Sequence, residues 1–82
     1  MSTMNITIIY QTKMLSYTAT TAQIQTEQGI RTILPGHQPL CAALQQNSAL
    51  EIGLPSQEII TIPVLDGVAI IDRTSMQVLV SE

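Results

Sequence analysis

The chain has 82 residues, 45% of them apolar, with a formal net charge of −3. Its length suits a single domain, spanning residues 1–82. Three basic and six acidic residues, with no basic cluster, argue against nucleic acid, which takes several phosphate contacts to bind usefully.

From the start, residues 5–11 alternate, with Ile6, Ile8 and Tyr10 on one face and Thr7, Ile9 and Gln11 on the other. That period of two predicts a strand. Residues 15–19 alternate weakly. Residues 20–25 set Ala22 and Ile24 against Gln23 and Gln25, in a Thr-rich stretch that favours a pleated surface. Glu27-Gln28-Gly29 interrupts the pattern, and residues 30–34 form a short predicted strand.

Pro35-Gly36 predicts a turn, closed again by Pro39. Residues 39–46 are ambiguous, because Leu40, Ala43 and Leu44 have helical spacing in a run too short for a helix to be secure. Asn47 tolerates positive φ and marks the next turn. Residues 49–54 and 57–62 form a hairpin candidate around Pro55-Ser56. Asp66-Gly67 reads as a tight turn that splits residues 64–71. Residues 76–80 close the chain with Met76, Val78 and Val80 on one face. The expectation is an all-β fold, a two-sheet β-sandwich of about eight to ten short strands.

No catalytic constellation stands out. His37 is the only histidine, without further ligands at zinc spacing, so no metal site is expected. A small hydrolase built on His37 and a carboxylate would need a cleft that holds both. The carboxylates Glu27, Glu51, Glu58, Asp66, Asp72 and Glu82 are scattered, as solvated turns and strand faces would have them. The four glycines are too dispersed for a phosphate loop. No cofactor and no catalytic residue are expected. Cys41 is the sole cysteine, and its apolar neighbours predict a buried, inert thiol. The first residues, from Met1 to Asn5, lack the charge and apolar run of a signal peptide. The longest apolar stretch, residues 59–71, is too broken to span a bilayer as a helix, so a soluble protein is expected.

The stretch Ile33-Leu34-Pro35-Gly36-His37-Gln38-Pro39-Leu40 resembles the signature turn of the ε subunit of F-type ATP synthases. Its placement, after two strands and about thirty residues in, is similar too. Downstream, Asn47 to Ile52, Leu65-Asp66-Gly67 and Met76-Gln77-Val78-Leu79-Val80 resemble later strands and turns of that family in register. Arg31-Thr32 departs from a usual Leu-Gly pair, Ile30 from an acidic residue and Leu65-Asp66 from Ser-Gly.

The resemblance implies a non-catalytic central-stalk subunit that binds the γ subunit and rests on the c-ring, coupling ion translocation to ATP synthesis. It implies a γ interface at Ile9, His37 and Ala42. It also implies a c-ring-facing loop, Thr26-Glu27-Gln28-Gly29-Ile30-Arg31-Thr32. One copy per complex is expected, peripheral on the cytoplasmic face of a bacterial inner membrane, with no direct membrane insertion. Longer members add a two-helix domain associated with inhibition of ATP hydrolysis; the sequence stops after its last strand, which implies a role without that inhibition. The alternative is a free-standing β-sandwich protein-binding module unrelated to ATP synthase.

Overall fold

The computed structural model describes residues 2–81; Met1 and Glu82, the latter one of the six carboxylates, lie outside the described residues. Nine strands follow one another: β1 (Met4–Ile9), β2 (Met14–Ala19), β3 (Thr21–Thr26), β4 (Gly29–Ile33), β5 (Leu40–Leu44), β6 (Ser48–Gly53), β7 (Ile59–Val64), β8 (Asp66–Ile71) and β9 (Ser75–Ser81). Among the described residues, no helix is long and apolar enough to cross a membrane.

Hydrogen bonding links the strands in the order β2-β1-β9-β8-β5-β3-β6-β7, with β4 on the remaining edge of β3. The link between β5 and β3 is one residue pair, Thr26 with Leu44. On either side of it lie a five-stranded layer (β2-β1-β9-β8-β5) and a four-stranded layer (β4-β3-β6-β7). Ile6, Ile8, Ala69 and Val78 of the first layer share one buried cluster with Ala22, Ile24, Leu50 and Ile52 of the second. The sheet therefore folds over at the β5–β3 joint and closes its apolar sides on each other, as a sandwich does.

Strict alternation produces this closure. Met4, Ile6 and Ile8 of β1 and Met76, Val78 and Val80 of β9 are all buried, while the residues between them turn outward. At roughly 25 cal/mol per Å² of apolar surface, each fully buried Ile or Val contributes about 1.5–3 kcal/mol. No aromatic ring is needed in the centre; Tyr10 and Tyr17 pack only at its margin.

Turn chemistry sets where the chain reverses. His37 N–H donates to the Leu34 carbonyl at 3.1 Å across Pro35-Gly36, and Gly36 takes a φ of 87°. That is the pattern of a type II turn, with proline second and glycine third. The Gly36 N–H also donates to the Arg73 carbonyl at 2.7 Å, which fastens this turn to the β8–β9 connection. In the β6–β7 hairpin, Gln57 N–H closes onto Leu54 at 3.0 Å, and Gln57 adopts a φ of 76°. Asn47 takes the positive φ expected of it, 54°.

One open reading resolves, and two expectations need correction. Residues 40–44 are a strand, not a helical turn: Leu40, Ala42 and Leu44 lie toward the core and Cys41 and Ala43 away from it. Cys41 is accordingly exposed rather than buried. Asp66-Gly67 is no turn. The chain corners at Leu65, and Asp66 and Gly67 already pair with Ser81 and Val80. Glycine is required there because a Cβ on Gly67 would lie 2.5 Å from the Leu79 carbonyl oxygen, so the demand is close backbone approach.

Three strands, β2, β4 and β7, keep a free edge, and two of them carry an interrupting feature. β7 contains Pro63, which has no N–H to offer a further strand. β4 is short and places Arg31 opposite the core residue Ile24, on the inner side of the sheet. Inward charge on an edge strand opposes extension of the sheet.

Candidate docking face

The two outer faces differ in chemistry. On the four-stranded layer the outward positions Gln23, Gln25, Glu51 and Thr61 make a polar surface, with exposed Ile30 and Ile59 set apart on its two edge strands. On the five-stranded layer the register lines up Met14 with Ile9, Ile9 with Leu79, Leu79 with Val68, and Val68 with Ala43. One apolar row thus crosses all five strands. Met14 is 65% exposed, Leu79 43% and Val68 41%. The next row runs Ser16, Thr7, Gln77, Ile70 and Cys41, with Ile70 exposed as well.

Charge is nearly absent from this layer. Among β1, β2, β5, β8 and β9, Asp66 is the one charged residue. Contiguous exposed apolar surface of this kind is typical of faces that bind another body.

The residues singled out from the sequence do not converge. Ile9 stands within the apolar row, half-buried, on the face opposite Ile8. Ala42 pairs with buried Ala69 and packs on the core, so its neighbours Cys41 and Ala43 carry β5's share of the outer face. His37 lies in the loop bonded to Arg73, at the Asn5 end of β1, while Ile9 ends that strand on the other side. Its Nδ1–H donates to the Gln38 carbonyl at 2.7 Å.

Of the loop Thr26 to Thr32, only Glu27 and Gln28 lie outside strands; the rest belongs to β3 and β4. Thr26 is buried, its Oγ1 donating to the Gly29 carbonyl at 2.9 Å and accepting from the Gln28 N–H at 3.2 Å. Gly29 reverses the chain at φ 116°. Ile30 and Thr32 are exposed on β4. Arg31, exposed as well, lines a gap of about 190 Å³ between this hairpin and Leu40–Ala43 of β5, and its Nη2 donates to Gln28 Oε1 at 3.4 Å.

Sequence reasoning missed Leu79, Val68, Ile70, Met14 and Ala43. A usable signal was present: β8 and β9 carry apolar residues on both faces of a layer with almost no charge. Among the described residues, no group of three His, Cys, Asp or Glu side chains stands where it could hold a metal ion. Every buried side-chain polar atom described has a hydrogen-bond partner.

The chain is a two-layer β-sandwich with an apolar row across one outer face and a more polar outer face opposite. Its sequence matches the family model described as the ATP synthase delta/epsilon chain β-sandwich domain over residues 3–82, and the chain belongs to that family. The fold is also that of a chain in the cryo-EM structure of the Euglena gracilis mitochondrial ATP synthase (OSCP/F1/c-ring, rotational state 1). The TM-score is 0.91 at 16% identity, and the match covers 100% of this chain and 52% of that one. The chain thus spans about half the length of that structural relative. No curated protein sequence matches it.

Proposed function

We propose that this domain is a non-catalytic central-stalk subunit of an F-type ATP synthase. In this reading it docks on γ through the outer face of the five-stranded layer and meets the c-ring through the β3–β4 tip at Glu27-Gln28. The observation that carries it is the apolar row Met14–Ile9–Leu79–Val68–Ala43 on one face alone of a domain in this family. Membership of the family removes the case for an unrelated sandwich module. Its place is peripheral, held to the cytoplasmic face of a bacterial inner membrane through the c-ring, one copy per complex.

Size limits what the face can do by itself. Five strands at about 4.8 Å spacing and six residues at about 3.3 Å rise give about 480 Å². Stable interfaces take about 800 Å² per partner. Docking on γ therefore gains from a second contact at the hairpin tip, and the assembled rotor holds the subunit more firmly than γ does. A close-packed two-layer body suits transmission of torque between such contacts, because its interior yields little to strain. The inhibition that longer members owe to their helical domain is not assigned to these residues.

The test is co-elution with the γ subunit of the same genome on size exclusion. Wild type is expected to form a one-to-one complex that Leu79→Glu abolishes. Separate peaks for wild type at tens of micromolar, with c-ring also present, would overturn the proposal.

A further inference from the structure

The outer face is not uniform along its length. Beside the apolar row lies a depression of about 520 Å³, bounded by Ile9, Val68 and Leu79 on one side and by Gln11, Asp66 and Ser81 on the other. The register explains this pairing of chemistries. Ser81 stands opposite Asp66 one step outward from Leu79 and Val68, so a polar row flanks the apolar one. Asp66 is exposed, and its Oδ1 accepts a hydrogen bond from the Gly67 N–H at 2.9 Å. Among the described residues it has no cationic partner.

We infer that this depression is the anchor point of the docking face, and that it takes a lysine or arginine side chain from the docking partner. The inference rests on the docking reading above and adds the residue type that the partner supplies. The methylene stem would lie along Val68 and Leu79, and the cationic head would reach Asp66. Long basic side chains bury their stems on apolar surface while their heads stay polar. A layer whose strands hold a single charge, set at the rim of its one apolar row, selects a partner of opposite charge at that point. A second carboxylate placed there would meet repulsion, and an aliphatic side chain would leave Asp66 covered and unpaired. Association gains register from such a contact, because an apolar row by itself permits sliding along the strands.

The experiment measures affinity for the γ subunit of the same genome at 50 and 500 mM salt, for wild type, Asp66→Asn, Asp66→Lys and Leu79→Glu. Asparagine keeps an oxygen for the Gly67 N–H, so folding is preserved, and circular dichroism checks this. Asp66→Asn is expected to weaken binding at least fivefold at low salt, and Asp66→Lys by more than twentyfold, with both losses shrinking at high salt. Charge reversal of one γ lysine or arginine should restore binding to Asp66→Lys. If Leu79→Glu abolishes binding while both Asp66 variants bind as wild type does, the cationic anchor is overturned and the docking face stands. If Leu79→Glu also binds as wild type does, the docking face itself is wrong.

Discussion

The Asn47 N–H donates to the Leu65 carbonyl at 3.0 Å, tying the corner between β5 and β6 to the corner between β7 and β8. Both corners carry the chain from one layer to the other, so one hydrogen bond locks the two crossings together. Asn47 reaches it from a left-handed backbone, φ 54°. Asparagine tolerates that conformation, and other L-residues adopt it at a cost of about 1–2 kcal/mol. Asn47→Val is therefore expected to lower unfolding free energy by about 1–2 kcal/mol. Asn47→Gly should change it by less than about 1 kcal/mol, since glycine enters this region freely but gains unfolded-state entropy. Urea titration of the two variants checks both values.

Gly67 and Gly36 predict opposite kinds of loss. At Gly67 a methyl group would sit 2.5 Å from the Leu79 carbonyl oxygen, and backbone must move to admit it. Gly67→Ala should cost about 2–3 kcal/mol, in the range of core overpacking. At Gly36 nothing lies within 4 Å of the added Cβ, and only the φ of 87° is unfavourable. Gly36→Ala should cost about 1 kcal/mol. Equal losses in thermal or urea unfolding would contradict the close approach of β9 to β8.

Ile8 and Leu79 separate folding from docking. Ile8 is fully buried, so Ile8→Ala should destabilise by about 2–5 kcal/mol through lost burial and a cavity. Leu79 points outward, so Leu79→Ala should change stability by about 0.5 kcal/mol or less. The same change should weaken γ binding about tenfold, a loss of about 1.4 kcal/mol. Unfolding curves and binding isotherms on both variants decide it.

Cys41 provides a probe that needs no substitution. Its exposure on the second row of the outer face predicts complete reaction with a thiol reagent in the folded chain, without denaturant. Binding of γ should slow that reaction at least tenfold. Reaction only after unfolding would contradict the outward placement of Cys41, and an unchanged rate in the complex would move the interface off β5.

Legibility in the sequence followed alternation. The strand at residues 76–80 was readable because Met76, Val78 and Val80 are separated by Gln77 and Leu79, and the pattern fits no helix. β5 was not, since Leu-Cys-Ala-Ala-Leu is apolar at every position and has no visible period. The same uniformity misplaced Cys41, because a strand whose inner face meets the core and whose outer face meets a partner looks locally like one buried on both sides. Ile9 could be picked out as an apolar residue among outward polar ones. Leu79 and Val68 stand out only as apolar residues on the second face of β8 and β9; their alignment into one row lies in a register across strands distant in the chain. Asp66-Gly67 has the composition of a turn, and only the position of the Leu79 carbonyl reveals a different demand on the glycine.

Pro63 and Arg31 have a consequence for stoichiometry. Strand edges propagate: each copy added to an edge offers a new edge, and growth need not stop. A face is consumed by the body that covers it. With proline in β7 and Arg31 on the inner side of β4, two of the three outer strands resist the open-ended mode, while the apolar row lies on a flat side. Of its three outer strands only β2 offers an uninterrupted template, so further copies could add at one edge at most.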